Sequence, residues 1–287
     1  MGGLARRVGY EKALLKQVDG QVAVLQVDCG HIFSDDQAGK TSAEDVRVKN
    51  EWVLRAYEQF KLQAANVSQR DLPFLATMMT KADYAANLKQ FPMLDRMVSA
   101  NVVPASDAVV AFKPYVIVDV RSKRAGAKPV RVGILGVSDQ QAEKKPVAGY
   151  NITDPVEAAR KVVPELRKKC DLVIVLAYTD RDLAKKIGLD TTGVDLILAA
   201  HQFPLYNTVE EAGDAVVAYV ANQTKWIGEM RLYKSSDSKD MAITNYLHRD
   251  VPLDSIVPDD PDAIKVVQQA RAAFMKMTPA PAPAVTH

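Results

Sequence analysis

The sequence predicts an α/β fold in which two β-sheets pack face to face and helices cover both outer faces. Strand-like apolar runs alternate with helix-like segments through most of the chain, as in β-α-β units. Consecutive strand-like runs near the carboxyl end are typical of hairpins. We find no internal repeat and no internal linker, so we expect one domain over residues 1–277 and a Pro/Ala-rich tail at 278–287.

The first half of the chain begins with a helix pattern. Its apolar stripe at helical spacing consists of Leu4, Val8, Leu14, Leu15 and Val18. After it we expect strands at 21–28, 64–67 and 98–103, a helix at about 41–62, and short helices between 71 and 99.

The second half opens with two strands, 115–120 and 130–137, joined by a basic turn at 121–128 that we interpret as solvated surface. A helix begins at Asp154-Pro155, because proline in a first turn loses no hydrogen bond, and runs to 169. The remaining pattern predicts strands at 172–177, 194–200, 215–220, 226–233 and 241–247, and helices at 180–187 and 260–275.

Composition excludes several classes of protein. The net charge of +2 and pI near 8.3 are too weak a bias for a nucleic-acid partner. No apolar run reaches the roughly 18 residues of a membrane span, and no signal peptide is recognisable. Cys29 closes one strand pattern and Cys170 opens another, at opposite edges of a parallel sheet, so we expect no disulfide between them.

Ten segments stand out by their order and spacing: GGLAR at 2–6, VDCGHIF at 27–33, NVSQRD at 66–71, SANVV at 99–103, KPYVIVDV at 113–120, VGILGVSD at 132–139, VPELRKKCDLVIVLAYTD at 163–180, VDLILAAHQF at 194–203, NQTKWIGEMRLY at 222–233 and VPLDSIVPDDPDAI at 251–264. Together they resemble the catalytic domain of the calcineurin-like metallophosphoesterases, in particular the bacterial 5′-nucleotidase/2′,3′-cyclic phosphodiesterase family. The resemblance covers nearly the whole chain and implies a four-layer α-β-β-α sandwich.

Two further expectations come from this resemblance. The family's first strand carries an Asp-x-His motif, which would precede Gly2, so we expect the first strand to be missing from its sheet position. Family members are usually exported, which implies a periplasmic or cell-envelope location.

The resemblance also implies two-metal phosphoester hydrolysis, but this chain departs from the family's ligands. His31 stands where the family has the carboxylate that bridges the two metals. A carboxylate offers two oxygens to two cations, whereas a neutral imidazole offers one lone pair and removes a negative charge. An ordinary two-metal site is therefore not expected.

The other ligand positions are altered as well. Gln69 and Arg70 replace an Asn-His pair, and Tyr178 replaces a histidine. Of the Gly-His-x-His motif, His201 is kept and Phe203 replaces the second histidine. Arginine does not give up its proton, so it cannot serve as a general acid, but it can bind a phosphate through two hydrogen bonds.

The candidate site residues follow from these positions. For metal binding they are His31, His201, Gln69 and Asp180, and we expect either no cofactor or a single divalent ion, zinc or manganese. We prefer to interpret the two histidines as hydrogen-bonded loop residues. For catalysis the candidates are Arg70, Asp71 and Cys29. Cys29 ends a strand expected to be central in its sheet, where a nearby cation would lower the pKa of its thiol, although a buried inert cysteine is the preferred interpretation.

Three functional hypotheses remain open. The first is a non-catalytic binding or scaffold domain on a metallophosphoesterase fold, with a small phosphate-containing molecule as its partner. The second is an active phosphoesterase or nucleotidase, a phosphoric ester hydrolase with a mononuclear or rearranged metal site. The third is a thiol-based protein centred on Cys29.

Overall fold

The computed structural model describes residues 2–33, 43–60, 62–139, 146–200, 208–220, 225–233 and 245–277. His201, Phe203 and the predicted tail at 278–287 lie outside these residues. The helices are α1 (Leu4–Val18), α2 (Ala43–Tyr57), α3 (Leu72–Met78), α4 (Tyr84–Gln90), a 3-10 helix (Pro92–Arg96), α5 (Pro155–Arg167), α6 (Arg181–Asp190) and α7 (Pro261–Met277).

The strands belong to one large and three small sheets. Their bounds are β1 (Val27–Asp28), β2 (Ala64–Asn66), β3 (Met97–Val98), β4 (Val102–Pro104), β5 (Tyr115–Val120), β6 (Val130–Ser138), β7 (Tyr150–Ile152), β8 (Leu172–Tyr178), β9 (Leu196–Ala199), β10 (Val209–Ala212), β11 (Ala215–Tyr219), β12 (Trp226–Tyr233) and β13 (Asn245–Pro252).

The large sheet has six strands in the order β10-β11-β9-β8-β6-β5. Its four inner strands are parallel to one another, and each of the two edge strands is antiparallel to the inner strand beside it. β1, β2 and β3 form a parallel three-stranded sheet in which β1 lies at an edge. β12 pairs with β13, and β4 with β7, each as an antiparallel pair. The predicted mixture of β-α-β units and hairpins is confirmed.

Three apolar clusters divide the molecule into layers. The middle cluster joins Cys29 and Val98 of the three-stranded sheet to Ile134 and Ile174 of the six-stranded sheet. A second cluster packs α5 and α6 on the outer face of the six-stranded sheet, and a third packs α1, α2 and α3 beside the three-stranded sheet. Each fully buried aliphatic side chain contributes about 1.5–3 kcal/mol, so the layering is held mainly by burial.

α5 begins where the sequence predicts. Asp154 caps it, because its Oδ1 accepts hydrogen bonds from the amides of Val156 at 2.8 Å and Glu157 at 3.0 Å. Pro155 follows in the first turn, where the missing amide hydrogen has no intrahelical partner to lose. The predicted helices at 4–18 and 260–275 are also observed as α1 and α7.

Two strand predictions in the first half are wrong in their bounds. Only Val27–Asp28 of the predicted strand 21–28 pairs, because the amide of Gln26 bonds to the side chain of Gln63 at 2.7 Å. The predicted strand 98–103 is split into β3 and β4. Between them, the amides of Ser99 and Ala100 donate to Lys113 and Gly136, so the chain turns toward the other sheet.

The two cysteines lie in different layers, and both are free thiols. Cys29 is buried between the sheets, whereas Cys170 packs with α5 on the outer face of the six-stranded sheet. The expected absence of a disulfide between them follows from this separation. Across the described ranges, none of the helices combines the length and apolarity that a membrane span requires.

Candidate functional site

The carboxyl ends of β1, β2, β6 and β8 meet at one end of the sandwich. In open α/β sheets this is the end where ligands bind. Buried polar bonds fix the two sheets to each other there: Asn66 Nδ2 donates to the carbonyl of Val137 at 2.8 Å, and the Ser138 hydroxyl donates to the carbonyl of Val67 at 2.6 Å. Side chains that follow these strands are therefore held in fixed relative positions.

His31 and Tyr178 meet across this end. The Tyr178 hydroxyl lies 3.2 Å from His31 Nδ1, and the two rings are nearly perpendicular with centroids 5.8 Å apart. The sequence places both residues at metal-ligand positions of the resemblance, and the structure brings them together. Their hydrogen bond occupies one of the two imidazole nitrogens.

The loop that carries His31 has a strained backbone. His31 has φ of 59° and Gly30 has φ of 101°, both in the left-handed region that disfavours a residue with a Cβ. The loop is held from both sides: the Gly30 amide donates to Asp28 at 3.1 Å, and the His31 amide donates to Asp71 at 2.9 Å. Such a conformation persists because the surroundings fix it.

Asp71 is the residue that fixes this loop. Its fully buried carboxylate accepts from the amides of Ile32 at 2.8 Å and Phe33 at 3.0 Å, in addition to the His31 amide. The hydroxyl and amide of Ser68 also donate to it, at 2.7 Å and 2.9 Å. Burial raises the pKa of Asp71, and these hydrogen bonds oppose the shift. Both oxygens of Asp71 are therefore engaged in positioning the His31 loop, which leaves its predicted catalytic role without support from the described contacts.

Arg70 lies beside Tyr178. Burial raises the pKa of the Tyr178 hydroxyl, while the charge of Arg70 and a hydrogen bond from it oppose that shift. Arg70 is half-buried. The hydroxyl of Tyr178 therefore connects His31 of one loop to Arg70 of the next.

Asp139 is a member of the site that the sequence reasoning missed. Its amide donates to the carbonyl of Tyr178 at 2.9 Å, directly beyond the end of β6. Burial and the nearby charge of Asp180 raise the pKa of Asp139 to about 6, against a hydrogen bond from the Asp180 amide. The available signal was an acidic residue directly after the buried strand β6.

The other candidate residues have different surroundings. Asp180 caps α6, with its Oδ1 accepting from the Leu183 amide at 2.8 Å, so this oxygen already has a structural partner. Gln69 keeps Oε1 buried, and within the described ranges this oxygen has no hydrogen-bond partner. His201 lies outside the described residues.

Cys29 does not have the surroundings of a reactive thiol. β1 is an edge strand of the three-stranded sheet, not the predicted central one. The Cys29 thiol is buried and lies 3.4 Å from the carbonyl oxygen of Leu198. Burial raises the pKa of Cys29 well above its usual range, whereas a reactive thiolate requires a lowered pKa. These surroundings agree with the preferred interpretation of Cys29 as a buried cysteine rather than with a catalytic thiol.

Comparison with known proteins identifies the fold. No family model matches the chain. A 240-residue match, 74% of this chain, is 26% identical to the trifunctional nucleotide phosphoesterase protein YfkN of Bacillus subtilis strain 168. The solved structure of the calcineurin-like phosphoesterase YfkN superposes with a TM-score of 0.72 at 18% identity, over 96% of this chain and 90% of that one. The chain has the calcineurin-like phosphoesterase fold.

Two solved structures from Thermus thermophilus support this assignment. The sulfate thiohydrolase SoxB gives a TM-score of 0.75 at 17% identity, over 98% of this chain and 48% of that one. The 5′-nucleotidase precursor of the same species gives 0.72 at 21% identity, over 96% and 54%. The chain thus spans about half of each Thermus protein and 15% of full-length YfkN.

The calcineurin-like phosphoesterase fold implies a metal centre, which requires a group of side chains with lone pairs placed around the ion. Among the described residues, no group of three or more His, Cys, Asp or Glu side chains is placed to hold a metal ion. Tyr178 bonds one nitrogen of His31, and five hydrogen bonds engage Asp71. The described side chains do not fit a pair of bridged divalent ions, so no reaction step through such ions follows from them.

Proposed function

We propose that this chain is a non-catalytic binding domain on the calcineurin-like phosphoesterase fold, with a degenerate metal site. Its ligand is a small phosphate-containing molecule that binds at the strand ends beside Arg70, His31 and Tyr178. The observation that carries the proposal is the 3.2 Å hydrogen bond between Tyr178 Oη and His31 Nδ1. It links two positions that the resemblance assigns to metal ligands.

The physical argument concerns charge. Two divalent ions bring about four positive charges, which a site offsets with carboxylates. At the bridging position this chain has an imidazole, and at a neighbouring ligand position it has a phenol whose pKa is raised by burial. A phenol that keeps its proton is a hydrogen-bond donor and a poor ligand for divalent ions. The arrangement suits recognition of an anion better than two-metal hydrolysis.

A hydrolysis assay tests the proposal. Purified protein is incubated with p-nitrophenyl phosphate and bis-p-nitrophenyl phosphate, with and without added manganese or zinc. We expect no metal-dependent turnover above the rate of a His31→Ala variant, which removes the imidazole from the site. Turnover that needs added metal and is lost in His31→Ala would contradict the proposal.

A second function has its own supporting observations. An active phosphoesterase with one zinc or manganese ion, or with rearranged ligands, draws support from the phosphoesterase relatives and from the carboxylates of Asp139 and Asp180 near Tyr178. The buried side-chain oxygen of Gln69, which has no hydrogen-bond partner in the part of the chain that the structure describes, is a further candidate metal ligand at this end. This alternative requires retained metal and turnover that depends on Asp139.

We also propose a periplasmic or cell-envelope location, on the resemblance alone. Fractionation of the source cells with an antibody against the chain tests it. Recovery in the envelope fraction is expected, and recovery with the cytoplasmic markers would contradict it.

A further inference from the structure

We infer that Arg70 replaces the charge of the metal ions, so that this site binds a phosphate group directly and without any divalent cation. The inference rests on the proposed function, since it concerns the same strand ends. It adds the residue that supplies the positive charge, and it makes ligand binding independent of metal.

The position of Arg70 is fixed by its neighbours in the chain. It lies in the turn between β2 and α3, where the Asp71 amide donates to the Ser68 carbonyl at 3.1 Å. The buried Asp71 carboxylate then joins this turn to the His31 loop. Arg70 therefore projects from a constrained backbone, which lowers the entropy lost when a ligand is bound.

The guanidinium suits a phosphate in charge and shape. Arginine stays protonated and presents five N–H donors in a planar fork that matches two phosphate oxygens. Tyr178 bonds to Arg70, and its phenolic hydroxyl can donate a hydrogen bond to a phosphate oxygen. His31 adds a second polar ring beside that hydroxyl. These are three side chains from three different strand ends, grouped at one place.

Nearby carboxylates lower the affinity of this site for an anion. The Asp71 carboxylate is already the acceptor of five hydrogen bonds, which spread its charge over the surrounding amides and the Ser68 hydroxyl. Asp139 and Asp180 lie on the β6 and β8 side of Tyr178, and they repel each other. Phosphate binding is thus favoured by Arg70 and opposed by this carboxylate pair, so we expect modest affinity.

Calorimetric titration tests the inference directly. Inorganic phosphate is titrated into the full chain in buffer with excess EDTA, and the titration is repeated with manganese in place of EDTA. The variants are Arg70→Gln, which removes the charge, and Arg70→Lys, which keeps the charge without the fork. Arg121→Gln is the matched control, because Arg121 is an exposed arginine of the basic turn, 3.7 Å from Asp119.

We expect equal binding in EDTA and in manganese, a loss of about 10- to 100-fold in Arg70→Gln, and no change in Arg121→Gln. Arg70→Lys should fall between wild type and Arg70→Gln. Binding that appears only with manganese, binding unchanged in Arg70→Gln, or no binding in either buffer would each overturn the inference. The hydrolysis assay tests the proposed function separately. A protein that binds phosphate only with manganese and shows no turnover would contradict the role of Arg70, but it would agree with a non-catalytic binding domain.

Discussion

The hydroxyl of Tyr178, at the end of β8, lies 3.2 Å from Nδ1 of His31, in the loop after β1. This hydrogen bond joins the ends of the two sheets at two positions that the resemblance assigns to metal ligands. It also connects His31 to Arg70, because Arg70 forms a hydrogen bond with the same Tyr178 hydroxyl.

Removing the Tyr178 hydroxyl should weaken the site without unfolding the protein. In Tyr178→Phe the ring stays buried, and the hydrogen bonds to His31 and Arg70 are lost. We expect a loss of stability of about 1 kcal/mol and phosphate binding weaker by about tenfold. Denaturant unfolding and calorimetry measure the two effects. Unchanged binding would show that the hydroxyl takes no part in the site.

Removing the charge of Asp71 should destabilise the fold strongly. In Asp71→Asn an amide NH₂ would face N–H donors that now bond to the carboxylate. We expect a loss of about 2–4 kcal/mol, because buried donors are left without acceptors. Asp107→Asn, at a fully exposed aspartate, is the control and should change stability by less than about 0.5 kcal/mol. Equal melting temperatures of the two variants would contradict the role given to Asp71.

The raised pKa of Asp139 gives a pH dependence with a definite sign. The folded state holds the proton up to about pH 6, whereas the ordinary aspartate value is 3.8. Between these values the folded state binds more protons than the unfolded state, so stability falls as pH rises through this window. Asp139→Asn removes the free-energy cost of ionising Asp139 in the folded state. We expect this cost to be about 1 kcal/mol, because Asp139 is only half-buried.

Thermal unfolding of Asp139→Asn and wild type at pH 4 and pH 8 tests this sign. We expect the variant to melt about 2–4 °C higher than wild type at pH 8 and equally at pH 4. A higher melting temperature of Asp139→Asn at pH 4 but not at pH 8 would contradict the raised pKa of Asp139.

Gly136 is expected to be intolerant of a side chain. A Cβ there would lie 2.5 Å from Asn66 Oδ1 and would also collide with the carbonyl of Val98, where the two sheets approach each other. We expect Gly136→Ala to cost more than about 3 kcal/mol, since backbone and a buried amide would have to move. Gly228→Ala is the control, because its nearest atoms lie at 3.6 Å and 3.8 Å. Chemical denaturation of both variants compares them.

The helices and the two-sheet architecture could be predicted because their patterns are local. α1 and α5 match their predicted starts through an apolar stripe and through the Asp154-Pro155 cap. The short strands β7 and β10 were not predicted, since three or four residues carry too little periodicity to identify. The break between β3 and β4 depends on amides that bond to distant segments, which no local pattern contains.

The candidate site could be predicted only in part. The positions of His31, Arg70 and Tyr178 followed from their order in the resemblance, and the structure groups them. The surroundings of Asp71 and Cys29 depend on burial and on hydrogen bonds to distant segments, which the sequence does not contain. Asp139 was missed because its raised pKa arises from burial and from Asp180, which lies on a different strand end.

The metal content of the purified protein tests the central claim most directly. The full chain is incubated with manganese or zinc, passed through a desalting column, and measured by elemental analysis per mole of folded protein. The site described here predicts far less than one equivalent of either metal, together with phosphate binding that survives EDTA. One or two equivalents of retained metal, lost in His31→Ala, would contradict it and show that these residues rebuild a metal centre.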